Sequence, residues 1–259
     1  MRSWNGWWVL ISAALLLLSG EARADKRVAL VIGNSAYANA TPIANATTAA
    51  VSMEAFLRDL GFEVIRGVDL SGRDMAERLR EFGGKTEGAD LAVLYYAGGA
   101  IMLRGSTFLL PIDADVKSEN DMKPGETFDL DSALSQTMSK AKVKLAFIDA
   151  SRTLPFRVNA AGSATAAGST AANSTPLDNL LIGFATAPGE TALDGPAGGS
   201  RPFTRALIAN IGEPGVEIFT AMTKVRTQVA SDTKDRQIPW VNSSPSGFIY
   251  LRPAPSAPR

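Results

Sequence analysis

Short β-branched runs alternate with stretches of helical periodicity along most of this chain, and that alternation leaves few architectures open. Arg27-Val28-Ala29-Leu30-Val31-Ile32 is apolar after its first residue and closes on Gly33-Asn34, the pattern of a strand buried on both faces. Ala49 to Leu60 then sets Val51, Met53, Ala55, Phe56 and Leu60 at helical spacing with Glu54, Arg58 and Asp59 opposite, and Gly61 stands ready as a C-cap glycine. The pattern recurs as a strand over Phe62 to Val68, a helix over Gly72 to Phe82 with Ser71 as its N-cap, and a strand over Leu91 to Tyr96. Beyond these, Thr107 to Ile112 reads as a strand, Asp131 to Lys140 as a helix, and Val143 to Ile148 as a strand ending at Asp149. The last part supplies a strand over Leu180 to Ala185 and helices over Pro202 to Ile211 and Val216 to Val229. Strands separated by helices of this length imply crossover connections, hence an α/β fold with a mainly parallel sheet and helices on both faces.

Composition removes whole classes of function. The 259 residues contain no cysteine and no histidine. Disulfides, thiolate nucleophiles, imidazole bases and the usual zinc ligands are therefore all missing. The 26 basic and 26 acidic side chains balance, so no global field gathers a phosphate backbone, and nucleic acid is not an expected partner. Gly33-Asn34-Ser35 lacks the spaced glycines of a dinucleotide fingerprint and no Walker lysine loop is present, so no cofactor is implied. Asp113, Asp115, Glu119 and Asp121 lack the glycine and glutamate of an EF-hand loop and read as a solvated acidic loop, not a metal site. The mixed charges of Arg73 to Glu81 read as an ordinary helix surface.

Three segments fall outside the alternation. Arg2, the apolar run from Trp7 to Leu18 broken only by Ser12, and Ala22-Arg23-Ala24 together read as a signal peptide over residues 1–24, cleaved after Ala24. Such a run is shorter than the roughly 20 apolar residues of a spanning helix, so a periplasmic or secreted protein without a permanent membrane span is expected. Residues 159–175 contain only Ala, Gly, Ser, Thr and Asn and read as a flexible linker. The proline-rich 253–259 reads as a frayed tail.

Open parallel sheets place their sites at the carboxyl ends of strands, and three such ends carry distinctive strings. Val31-Ile32-Gly33-Asn34-Ser35-Ala36-Tyr37, Tyr95-Tyr96-Ala97-Gly98, Leu110-Pro111-Ile112-Asp113-Ala114-Asp115, Asp149-Ala150-Ser151-Arg152, Phe184-Ala185-Thr186-Ala187-Pro188-Gly189 and Pro202-Phe203-Thr204 occur in this order. In that order they resemble the bacterial caspase-like peptidases, the orthocaspase and metacaspase relatives, over nearly all of residues 26–251. The resemblance implies a caspase-like three-layer sandwich. Residues 25–158 would form the large (p20-type) segment and 176–252 the small (p10-type) segment of one domain.

The resemblance also implies a loss. In those relatives the Tyr-Tyr-Ala-Gly strand end is followed by a catalytic histidine, and the Asp-Ala string by the nucleophilic cysteine. Here Gly99 and Ser151 stand at the two positions, and Thr47-Thr48-Ala49 replaces a usual Asn-Asp-Ala string. A serine hydroxyl is a poor nucleophile until a base accepts its proton, and the nearest lysines, Lys140, Lys142 and Lys144, precede or open the strand that ends beside Ser151. By similarity, the backbone N–H groups of Ala100 and Ser151 would still form an oxyanion cradle. Asp149 either lines the pocket that takes a basic side chain in relatives cleaving after arginine or lysine, or merely caps a loop at a strand end. The expectation is an exported pseudoprotease that binds a protein or peptide, with a basic residue in the old cleft or through a homodimer surface. The alternatives are a weak Ser151 hydrolase and a purely structural assembly protein.

Overall fold

The computed structural model describes residues 25–152, 177–196 and 198–254. The expected signal peptide, the expected linker at 159–175 and residues 255–259 of the expected tail lie outside the described residues. The strands are β1 (Arg27–Gly33), β2 (Glu63–Val68), β3 (Leu91–Leu103), β4 (Ser106–Leu109), β5 (Phe128–Asp129), β6 (Val143–Arg152), β7 (Leu180–Phe184) and β8 (Trp240–Ser243). The helices are α1 (Ala46–Asp59), α2 (Gly72–Thr86), α3 (Leu130–Met138), α4 (Pro202–Asn210) and α5 (Ile218–Thr233), with a short 3₁₀ turn at Glu119–Asp121.

One sheet runs through the fold in the order β2-β1-β3-β6-β7-β8, parallel except for β8. Period-two alternation along the buried strands sorts their side chains to two faces. Ala29 and Val31 of β1 pack with Met53 and Leu57 of α1, Phe203 and Leu207 of α4, and Val225 of α5. Val28, Leu30 and Ile32 turn the other way, toward Met75, Leu79 and Phe82 of α2 and Leu134 and Met138 of α3. The result is the three-layer α/β sandwich expected from the alternation. Two cores form because each central strand is apolar at consecutive positions.

Local signals account for most element ends. Ser71 caps α2 by accepting from the Asp74 amide at 3.2 Å, and Gly61 takes φ +80° after α1. Asp129 caps α3 through the Ser132 amide at 2.8 Å, and Glu217 caps α5 through the Phe219 amide at 2.8 Å. Where expectation and structure differ, tertiary contact overrides local sequence. Helix α2 runs past Phe82 through Gly83-Gly84 to Thr86, since Phe82 and Thr86 are both buried. Strand β3 does not stop at Tyr96. It continues to Leu103 because β4 pairs antiparallel with its far end, Ile101 opposite Phe108, and β6 extends alongside it to Arg152. The strand expected over Thr107 to Ile112 ends at Leu109, just before Leu110-Pro111. Strands β5 and β8 carry too few residues and too little apolar periodicity to be read from sequence; β8 is Trp-Val-Asn-Ser, mostly exposed along the sheet edge.

The fold brings α1 unusually close to the end of β1. A Cβ added to Gly33 would lie 2.6 Å from the Ala50 Cβ and 2.8 Å from the Ala46 carbonyl oxygen, so the helix starts where only glycine leaves room. Gly33→Ala is expected to destabilise the protein by roughly 1–3 kcal/mol through overpacking, read as a lower urea midpoint at unchanged slope. An unchanged midpoint would show that this approach is not tight in solution.

Candidate functional site

The carboxyl ends of β1, β3 and β6 meet in register, with Gly33 beside Ala97 and Ala97 beside Asp149. Just beyond β1, buried Asn34 braces the edge. Its amide donates to the Ala97 carbonyl at 2.9 Å, its side-chain nitrogen donates to Leu110 O at 3.1 Å, and its side-chain oxygen accepts from Leu70 N at 3.0 Å. Asp69, in the left-handed region at φ 48°, accepts from the amides of Ser35 at 2.7 Å and Ala36 at 3.0 Å. These bonds fix the turn that carries Tyr37 over the sheet end.

Gly99 and Ser151 are direct neighbours across the β3–β6 ladder. No side chain reaches from Gly99 toward the serine. The space above the glycines is taken by two phenols instead. Gly99 N donates to Tyr37 Oη at 2.6 Å, Tyr37 Oη lies 3.2 Å from Tyr96 Oη, and Tyr96 Oη donates to the Gly99 and Leu110 carbonyls at 2.7 and 2.8 Å. A Cβ at Gly98 would fall 2.7 Å from Tyr96 Oη and 2.8 Å from Tyr37 Oη, and one at Gly99 would fall 3.2 Å from Tyr37 Oη. Glycine at 98 and the phenol pair therefore require one another. Burial holds both hydroxyls protonated, pushing Tyr37 up and Tyr96 well above the ordinary phenol range.

Ser151 is half-buried, and its hydroxyl is already engaged. Oγ accepts from the Ala192 amide at 3.0 Å and contacts the Ala192 carbonyl oxygen at 3.5 Å. The three lysines considered as bases lie at the far end of β6. Lys140 pairs with Glu87 at 2.8 Å, Lys142 with Asp90 at 2.6 Å, and Lys144 donates to Asp178 O at 2.9 Å. Seven residue steps along β6 separate Lys144 from Ser151, about 23 Å at the usual rise. Ala100 is paired on both sides, with Leu109 on β4 and Arg152 on β6, so its N–H is directed at a neighbouring strand and not into an open cradle.

Asp149 is fully buried, and the cation it faces belongs to the same chain. Arg201 is only 1% exposed, and its Nε lies 2.9 Å from Asp149 Oδ1. The other carboxylate oxygen accepts from Thr204 Oγ1 at 2.5 Å, and that hydroxyl lies 2.5 Å from Tyr95 Oη. The Arg201 Nη1 pairs with Asp194, whose carboxylate is 39% exposed. Burial disfavours the charge on Arg201, but Asp149 and Asp194 outweigh it, and the net direction is upward. Tyr95 is pushed well above the ordinary phenol range by burial and then by the Asp149 charge. The connection from β7 to α4 is pinned by further bonds: Leu193 N donates to Gln237 Oε1 at 2.8 Å, Gln237 Nε2 to Ala185 O at 3.1 Å, and Asn45 Nδ2 to the Asp194 and Pro196 carbonyls at 2.8 Å each.

Sequence reasoning named Gly99, Ala100, Asp149 and Ser151, and the fold brings all four to one edge. It missed Arg201, Asp194, Gln237 and the Ala192 backbone. The one available signal was Arg201 directly before Pro202-Phe203-Thr204, a cation abutting an apolar helix start. The acidic loop carries its own partners: Asp113 Oδ1 accepts from Gly72 N at 2.8 Å, Asp115 pairs with Lys117 at 2.6 Å, Glu119 with Arg104 at 2.5 Å, and Asp121 accepts from Ser118 N at 2.8 Å. Among the described residues no cluster of three potential ligands could hold a metal ion, and no helix is long and apolar enough to cross a membrane.

Comparison with known proteins adds two findings. Residues 26–250 match the caspase domain of the peptidase C14 family. A 104-residue stretch is 31% identical to the mucosa-associated lymphoid tissue lymphoma translocation protein 1 homolog of Mus musculus, covering 39% of this chain and 12% of that protein.

The buried phenols give the site a pH signature. Tyr37, Tyr95 and Tyr96 all have folded-state pKa values raised above the ordinary 10.0, so the stability they contribute is complete below pH 10 and is lost as pH rises beyond it. Alkaline titration is expected to show their phenolate absorbance only together with loss of near-UV ellipticity. Of the four tyrosines Tyr250 alone is exposed, so a signal larger than one phenolate in a still-folded chain would contradict this burial.

Proposed function

The chain belongs to the caspase domain family of peptidase C14, and from that premise we propose that it is an exported pseudoprotease, a regulatory module that binds a protein partner without cutting it. The observation that carries this reading is the Ser151 hydroxyl held on the Ala192 backbone, with Gly99 and not a base across the ladder. The family resemblance puts the proton acceptor at Gly99 and the attacking atom at Ser151, and the chain contains neither histidine nor cysteine to supply them from elsewhere. Loss of nucleophile or base alone costs a factor of about 10⁶ in turnover in a well-studied serine protease. The nearby phenols offer no substitute, since burial keeps Tyr37 and Tyr96 protonated and both already lie within hydrogen-bonding distance of Leu110 O.

A binding role without chemistry fits what the scaffold retains. Two full cores and a braced strand edge persist around the site. Among the described residues, edge strand β8 pairs on one side only, and it exposes Trp240, the kind of edge on which another polypeptide, a second copy included, can add. A partner's basic residue would meet Asp149 already paired with Arg201, so contact outside that pocket is favoured.

The test is enzymatic. Purified protein is expected to show no turnover of peptides carrying arginine or lysine and no fluorophosphonate label on Ser151. Ser151→Ala is expected to change only stability, by about 1 kcal/mol, as the Ala192 amide loses its acceptor. Turnover or labelling abolished by Ser151→Ala would overturn the proposal in favour of a hydrolase.

A further inference from the structure

We infer that the groove between α4 and α5 is a carbohydrate site, one that takes a neutral sugar through neighbouring hydroxyls. The inference goes beyond the reading above and does not depend on the state of Ser151.

The groove offers about 440 Å³, and its lining includes Asn210, the last residue of α4, and Gln228 of α5. Asn210 is only 8% exposed, yet half of its amide is unengaged. Both protons of Nδ2 are committed, one to Ala206 O at 2.7 Å and one to Gln228 Oε1 at 2.8 Å. A backbone carbonyl can only accept, so Ala206 fixes which way the Asn210 amide faces, and Asn210 in turn fixes Gln228. Among the described residues neither Asn210 Oδ1 nor Gln228 Nε2 has a hydrogen-bond partner, and neither atom is sealed from the groove. The pair therefore presents one acceptor and one donor beyond the bond that joins them. Two adjacent hydroxyls match it, one donating to Oδ1 and the next accepting from Nε2.

The rest of the lining narrows the class. Thr223 and Thr227, one turn apart on α5, send their protons back to the Phe219 and Thr223 carbonyls at 2.9 and 3.1 Å. Their oxygens are left to the groove as acceptors only. A ligand must then bring several donors, which a carboxylate or a phosphate does not. The charges that line the groove are already cancelled: Lys224 pairs with Glu213, and Asp232 with Arg205 at 2.8 Å. A free ion of either sign gains little there. Ser231 extends the hydroxyl row, and from Thr223 to Ser231 the helix rises about 12 Å, a span that suits a disaccharide. Phe219, 39% exposed and one turn before Thr223, adds an apolar face at that end.

Titration of the isotope-labelled protein with cellobiose and with maltose, followed by NMR, tests the site. Saturable shifts are expected at the Asn210 and Gln228 side-chain amides, with a Kd in the millimolar range. Gln228→Glu keeps the acceptor that holds Asn210 but removes the free donor, and it should weaken binding at least about tenfold. Thr227→Val, at an exposed position, should weaken binding as well, and it carries the test should Gln228→Glu fail to fold. Glucuronate should bind no more tightly than glucose, and acetyl-trialanine amide should not compete. No saturable shift with either disaccharide, undiminished binding by both variants, or a preference for glucuronate or the blocked peptide would each overturn the inference.

Discussion

The carboxyl edge of this sheet is organised by one buried charge contact, Asp149 with Arg201. Neither group is tolerable alone at such depth, because an unpaired charge in a protein interior costs several kcal/mol. The pair therefore couples elements far apart in sequence. Asp149 must sit at the end of β6, Thr204 must follow one turn into α4 to take the second carboxylate oxygen, and Asp194 must close over the guanidinium. The β7 to α4 connection is held down by that demand as much as by the hydrogen bonds of Asn45 and Gln237. The same connection places the Ala192 amide on the Ser151 hydroxyl.

A second constraint, steric and not electrostatic, acts on the neighbouring strand. Tyr37 and Tyr96 pack their hydroxyls over Gly98 and Gly99, and the backbone of β3 supplies the donor and acceptor that satisfy them. Because β4 zips the far end of β3, the glycine stretch behaves as ordinary strand and not as a loop. The two constraints meet at the Gly99 and Ser151 pair, where one side carries no functional group and the other is bound to backbone.

Much of the fold was legible in the sequence, for a specific reason. The central strands are apolar at consecutive positions, as in Val28 to Ile32, and this pattern arises only where both faces are covered. Helix starts such as Ser71 announce themselves chemically. The extension of β3 to Leu103 and of β6 to Arg152 could not be read, because it depends on pairing with β4 and with each other, and long-range pairing leaves no local trace at Gly98-Gly99. The site divides in the same way. The strand ends bearing Gly99 and Asp149 could be located from order and spacing. Arg201 was harder, since a cation abutting the apolar start Pro202-Phe203-Thr204 hints at an inward turn but does not name the aspartate 52 positions away that it meets.

The phenol pair above Gly98 and Gly99 also limits which side chains this stretch of β3 can carry. A side chain added at position 99 has its first carbon 3.2 Å from Tyr37 Oη, so the phenol has to give by a few tenths of an ångström, and its movement loosens the bond it accepts from the Gly99 amide. Position 98 is the stricter of the two, because a first carbon there falls within 2.8 Å of both phenol oxygens, and no side chain enters without displacing the pair.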